Sequence, residues 1–350
     1  MRRLRTYILT LAIIVPALVS CSGIDIGDMK DDYVTLCLNT PRIAADTDTK
    51  SMPIDGEFFP WQSRTHAVQT GNTPYTDYSV GLWICDGGTL EPHMPEHKNN
   101  NLVIRAQHNV INGKNTWVWL KSNATYSPSV RLGKSIDIHA YHPFVTTDSF
   151  TPKNVPFTTT EQKDWMWADV TINNDENHSV DFKFHHAMTC LEIRLSTKYN
   201  STINLTSITL TDKKSSLVSN GTMDIRNGQL TFTADKSSLT IKGNNANSSL
   251  LPIHAEDNSS YQSFCFLMPE KEFESGDMKL SFVFDGSANG RSEYEIPVEF
   301  KNSEQSTVTI NKFERGKKYI VYLLIDNQLC IEPLSFNISD WTTVNVDFTI

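Results

Sequence analysis

The stretch YEIPVEF, residues 294–300, sets Tyr294, Ile296, Val298 and Phe300 at every second position. Glu295, Pro297 and Glu299 stand between them, with Glu293 just before. Successive side chains of a strand point to opposite sides of a sheet, so a period of two marks a strand with one dry face and one wet face. Pro297 has no amide hydrogen to donate, which places this strand at a sheet edge. Short alternating runs of the same kind recur on both sides. Upstream are YVTLCLN (33–39), VGLWIC (80–85), NLVIRA (101–106), TWVWL (116–120), IDIHAYHPF (136–144), VDFKF (180–184), CLEIRLS (190–196), QLTFTA (229–234), SFCFLM (263–268) and MKLSFVFDG (278–286). Downstream are TVTI (307–310), YIVYLLID (319–326) and LSFNI (334–338). Gly, Asn, Asp, Ser and Pro separate them. This spacing predicts an all-β chain of antiparallel sheets packed as sandwiches. Only TEQKDWMWAD, residues 160–169, is expected to form a short helical turn.

The chain opens on MRRLRTYILTLAIIVPALVSC, with a basic patch at Arg2, Arg3 and Arg5 and an apolar run from Tyr7 to Val19. That run, broken by Pro16, is too short to cross about 30 Å of hydrocarbon as a helix and reads as a secretory signal, residues 1–20. Leu18-Val19-Ser20-Cys21 resembles the bacterial lipobox, which implies cleavage between Ser20 and Cys21 and a lipid on the Cys21 thiol. Acyl chains there would hold the protein to a membrane without a spanning segment. Residues 21–32 are small, polar and acidic and suit a tether. The mature chain is long enough for two domains with their own cores. The polar, turn-rich NNDENHS, residues 173–179, divides it into expected units of 33–178 and 179–350.

A net charge of −9 argues against nucleic acid, which needs a basic face. With Cys21 given to lipid, Cys37, Cys85, Cys190, Cys265 and Cys330 remain, an odd number within apolar patterns, and they are expected to be buried free thiols. No zinc-ligand spacing, nucleophile elbow or glycine-rich phosphate loop occurs, so neither metal nor cofactor nor catalysis is expected. His139 and His142 are three apart on a strand and His185 and His186 adjacent; each pair points to opposite faces and cannot share an ion. His93 and His97 share a proline-containing loop. Trp117 with Trp119, and Trp165 with Trp167, stand two apart. On a strand each pair makes an aromatic face, either a platform for sugars or a partner, or part of a core.

Several phrases in order resemble the fimbrillin-like lipoproteins of Bacteroidetes, which include type V pilus subunits. They are the lipobox, VTLCLN followed by TPR, YSVGLWICDGG, IDIHAYHPF, VDFKFHHAMTCLEIRL, and RGKKYIVYLLIDNQ before FNISDWTTV. The resemblance implies two transthyretin-like β-sandwich domains and a structural, non-enzymatic role. It also implies cleavage after an arginine beyond the first strand, loss of that strand, and filling of the groove by a terminal strand of another subunit. In this chain the positions that match are Val34, Leu36 and Leu38 as the removable strand and Arg42 as the cleavage point, with Arg64 in competition. The final run WTTVNVDFTI carries Val344, Val346, Phe348 and Ile350 as the donor face, or else it pairs within its own domain. Partners are then other pilin subunits or further copies of the chain. The alternative is a monomeric surface adhesin or glycan-binding lipoprotein on the same scaffold.

Overall fold

The computed structural model describes residues 33–35, 37–38, 42–43, 79–93, 102–111, 114–121, 124–125, 129–131, 135–145, 150–159, 162–173, 179–198, 205–242, 253–254, 261–284, 291–301, 307–326 and 328–340. No helix occurs among them, and the chain is all-β. The strands of the N-terminal half are β1 (Tyr33–Thr35), β2 (Cys37–Leu38), β3 (Arg42–Ile43), β4 (Ser79–Asp86), β5 (Leu102–Ile111), β6 (Lys114–Lys121), β7 (Ala124–Thr125), β8 (Ser129–Arg131), β9 (Ile136–His142), β10 (Val155–Thr158), β11 (Met166–Ile172), β12 (Ser179–Val180) and β13 (Lys183–His186). Those of the C-terminal half are β14 (Thr189–Thr197), β15 (Leu205–Asp212), β16 (Asn220–Asp224), β17 (Gln229–Phe232), β18 (Ser238–Lys242), β19 (Ile253–His254), β20 (Gln262–Met268), β21 (Lys271–Glu272), β22 (Met278–Phe284), β23 (Arg291–Glu295), β24 (Glu299–Lys301), β25 (Thr307–Thr309), β26 (Lys312–Phe313), β27 (Lys317–Ile325) and β28 (Ile331–Asp340).

An eight-stranded sheet in the order β3-β13-β11-β9-β4-β5-β6-β7 dominates the N-terminal half. Alternate residues of its strands, Val80, Leu82 and Ile84, then Ile136, Ile138 and Ala140, then Met166 and Ala168, form one apolar cluster. Val130 of β8 and Val180 of β12 belong to the same cluster, so the pairs β1-β8 and β2-β12 lie over this face as a second layer. β12 and β13, which follow residue 178, both pair with N-terminal strands.

In the C-terminal half, a sheet with the path β19-β14-β27-β28, and β20 also on β14, faces the sheet β18-β15-β22-β23. Leu191, Ile193 and Leu195 meet Ile208, Leu210, Leu280 and Phe282 between the two, the packing of a sandwich. The opening stretch behaves as its period requires. Ile296 is buried, Tyr294, Val298 and Phe300 pack partly buried against the core, and Glu293, Glu295 and Glu299 are exposed. β23 ends its sheet two residues before Pro297, and the proline splits the run so that β24 pairs elsewhere, with β25.

Three expectations need correction. The sheets are not purely antiparallel, because β14-β27, β14-β19, β2-β12 and β3-β13 are parallel. Alternation cannot reveal strand direction, which depends on distant connections. DWMWAD is no helical turn: β11 starts at Met166, antiparallel to β9. Two cysteines are joined, Cys190 and Cys265, with Cα atoms 6.4 Å apart on neighbouring strands, while Cys330 is exposed. Cys85 is a buried free thiol as expected, and burial, then the Asp137 charge, pushes it up to about 12.

A third apolar cluster joins the halves. Tyr141, Val155, Phe157 and Trp165 pack there with Cys190, Met223, Ile225 and Leu267. Backbone pairing also crosses it, since β10 is a neighbour of β16. The Gln162 carboxamide clamps Leu267, accepting from its N–H at 2.8 Å and donating to its carbonyl at 3.1 Å. At the tip of the β16-β17 hairpin Gly228 has φ +67°, and a Cβ there would sit 2.0 Å from Trp167 Nε1. Gly228→Ala is therefore expected to cost roughly 2 kcal/mol or more and to alter tryptophan emission, read by thermal melting followed by fluorescence.

One buried carboxylate braces the C-terminal sandwich. Asp212 accepts from the Lys271 ammonium at 2.8 Å, from Ser216 Oγ at 2.5 Å and from the amides of Lys214 and Ser216. Burial alone would raise its pKa, but these donors hold it down to about 2. The unfolded carboxyl titrates near ~3.9, so its contribution is complete above that value and is lost as pH falls toward 2. Asp212→Asn should lower stability at pH 7 by about 1–2 kcal/mol and flatten the decline of the urea midpoint between about pH 4 and pH 2.

Candidate assembly interface

Residues 33–43 bind the rest of the chain through three separate short pairings. β1 runs antiparallel to β8, with Val34 opposite Val130. β2 runs parallel to β12, with Leu38 opposite Val180. β3 runs parallel to β13, with Arg42 opposite Lys183 and Ile43 opposite Phe184. YVTLCLN, expected as one strand, is thus two, because its halves meet different neighbours. Each of β1, β2 and β3 has a single partner and stands at the end of its sheet. The segment begins in the second layer of the N-terminal half and finishes on the edge of the eight-stranded sheet.

What lies opposite is core. Val130 is 1 % exposed, and Val180, Phe182 and Phe184 are all 0 % exposed. Phe182 and Phe184 also touch each other, with ring centroids 6.0 Å apart. Removing residues 33–42 would take backbone partners from β8, β12 and part of β13 beside these side chains. No pairing between the remaining strands is broken by that loss. Arg42 lies within β3, not in a free loop. Leu36, Ser20, Cys21, Arg64 and the run carrying Val344, Val346, Phe348 and Ile350 lie outside the described residues.

At the other end of the chain, β28 pairs with β27 and, among the described residues, stands at the end of its sheet. Phe336 is buried in the core and its ring lies 4.5 Å from that of Phe300, whereas Leu334 and Ile338, two residues to either side, are 40 % and 43 % exposed. This apolar edge ends at Asp340, where the terminal run begins.

The residues weighed for chemistry are built into the scaffold. His139 Nδ1 lies 2.6 Å from Asp169, His186 Nδ1 3.0 Å from Asp164, and His93 Nδ1 2.7 Å from Asp86. Even-numbered residues of β9 face the N-terminal core, so His142 lies on that face and His139 on the opposite one, both buried, as the period requires. Among the described residues no group of three or more His, Cys, Asp or Glu is arranged to hold a metal ion. Trp165 is buried against Phe157 and Trp167 stacks on His185 at 4.9 Å, which puts this pair in the junction and not on an open platform. Trp117 and Trp119 lie in β6, register partners of His108 and Ala106.

Sequence reasoning missed one group. Glu192 and Arg194 of β14 are buried, joined at 2.9 Å, with the guanidinium 4.5 Å from the Tyr261 ring centre and 5.1 Å from that of Tyr322. Alternation in CLEIRLS puts both charges on one face of the strand but does not say that this face is dry.

The family model described as fimbrillin-like matches residues 77–341, more than half of the chain, and the chain belongs to that family. Its fold is also that of proposed cell adhesion proteins. One from Bacteroides uniformis is 16 % identical, with a TM-score of 0.52 over 76 % of this chain and 93 % of that one. Another, from Bacteroides ovatus, is 15 % identical, with a TM-score of 0.53 over 89 % of this chain and 99 % of that one. No curated protein matches the chain. Residues 33–43 and most of the final ten residues lie outside the family match.

Two substitutions separate core from edge at this interface. Phe184→Ala should lower unfolding free energy by about 3–5 kcal/mol, whereas Ile338→Ser should change it by no more than about 0.5 kcal/mol, both read from urea midpoints.

Proposed function

We propose that this protein is a non-enzymatic, surface-exposed fimbrial subunit or accessory protein, anchored to the outer membrane by lipid on Cys21 and assembled by β-strand exchange. The observation that carries this reading is the placing of residues 33–43. Among the described residues, segment and core are joined at the ends of sheets, so the segment can leave without dismantling the sheets that remain. Its departure after cleavage at Arg42 uncovers Val130 and Val180 beside unpaired main-chain groups of β8 and β12. Such a trench is costly in water both for its apolar lining and for its unmatched N–H and C=O groups. A strand from another subunit relieves both costs, its main chain completing the ladder and its alternate side chains filling the pockets.

Val344, Val346, Phe348 and Ile350 supply the period of two that such a donor needs. They follow directly on β28, which stands at the end of its sheet and whose exposed Leu334 and Ile338 already form an apolar border. In this reading the chain forms two sandwich domains that divide near Ala187, where the last strand of the N-terminal sheet gives way to β14. The Cys190–Cys265 pair is in keeping with a protein that matures outside the cytoplasm. A second reading, a tethered adhesin that stays monomeric, is favoured by the likeness to proposed cell adhesion proteins.

The two readings part on trimming. A chain beginning at Ile43 is expected to bind an apolar dye more strongly than the full chain and to form ladders that resist mild denaturant, seen by gel electrophoresis without boiling. Deleting residues 341–350 from that trimmed chain should abolish the ladders. A trimmed chain that stays monomeric in sedimentation and binds no additional dye would rule out exchange and leave the adhesin.

A further inference from the structure

The three pairings of residues 33–43 differ in chemistry. Val34 is the register partner of Val130 and Leu38 that of Val180, apolar residue with apolar residue. Arg42 is the register partner of Lys183. Both carry a positive charge at neutral pH, and like charges at register partners on neighbouring strands weaken the pairing. Lys183 is exposed, so no core contact compels a cation at this position. The one cationic pairing of this segment therefore coincides with the arginine expected to be cut.

An endoprotease takes its substrate as an extended chain and pairs with main-chain groups on both sides of the scissile bond, as in strand addition. The Arg42–Ile43 bond lies inside β3, whose main chain is already engaged with β13. The protease must wait for β3 to detach. When opening and closing are fast beside cutting, the rate follows the population of the open form.

We propose that the Arg42 and Lys183 pair is a release device, which favours detachment of β3 from β13 and presents Arg42 to an arginine-specific protease while β1 and β2 remain docked. This rests on the reading of Arg42 as the maturation site. The reaction consumes one water, breaks the Arg42–Ile43 amide, and leaves a carboxylate on Arg42 and an ammonium on Ile43.

The test uses the full chain and a purified arginine-specific endoprotease, with the rate of appearance of the product starting at Ile43 measured by mass spectrometry. A synthetic peptide of residues 36–48 gives the rate in the absence of pairing. Lys183→Glu, which sets an anion opposite Arg42, should slow the cut roughly fivefold, Lys183→Ala should slow it less, and Lys183→Arg should leave it unchanged. Equal melting temperatures would show that the variants remain folded, as an exposed position allows. Equal cutting of Lys183→Glu and the parent would overturn the release device while the maturation reading stands. A full chain left uncut after Arg42, while the peptide is cut, would overturn both.

Discussion

The structure depends on a short stretch of backbone pairing over a ready-made core. The described residues of 33–43 contribute seven paired positions, three in β1, two in β2 and two in β3, and these lie opposite Val130, Val180 and Phe184 among others. Apolar burial beneath the segment and main-chain pairing along it cooperate, because an open trench would leave greasy walls and unmatched amides together. The segment nevertheless ends three sheets and divides none. Strong local need for cover and weak topological attachment are the two properties an exchangeable part requires, and here they belong to the same eleven residues.

Much of this architecture could be read in advance. YEIPVEF has its apolar face inward and sits at a sheet edge, because a period of two and a proline each have a local cause. Almost every alternating phrase from VGLWIC to LSFNI became a strand for the same reason. Register and direction were not legible. Cys190 and Cys265 lie 75 residues apart, and only the alignment of β14 with β20 brings them together. No alternation marks Arg42 as part of a strand, because β3 is two residues long and is held by β13. DWMWAD hid its strand because Trp165 and Met166 are buried on consecutive positions, one in the junction and the other in the N-terminal core, and alternation disappears where both sides are dry.

The same effect explains Glu192 and Arg194. All nine residues of β14 are buried, so the polar face of that strand is as dry as its apolar face. Desolvation works against the guanidinium, but the adjacent Glu192 carboxylate and the two tyrosine hydroxyls raise its pKa above the usual value. The charge survives because its partners travel with it on β14 and β27. Ser263, which donates to Glu192 at 2.9 Å, and Lys318, 3.6 Å from the same carboxylate, complete the polar group on β14 and its neighbours.

The junction between the halves bears on how force would pass through a fibre. Trp165, Tyr141 and Leu267 pack across it, β10 hydrogen-bonds to β16, and Gln162 grips the backbone of β20. Among the described residues, packing and main-chain pairing thus fasten the two halves together. Tension along a string of such units would be shared by apolar packing and sheared hydrogen bonds inside each unit, leaving the links from one unit to the next as the elastic element.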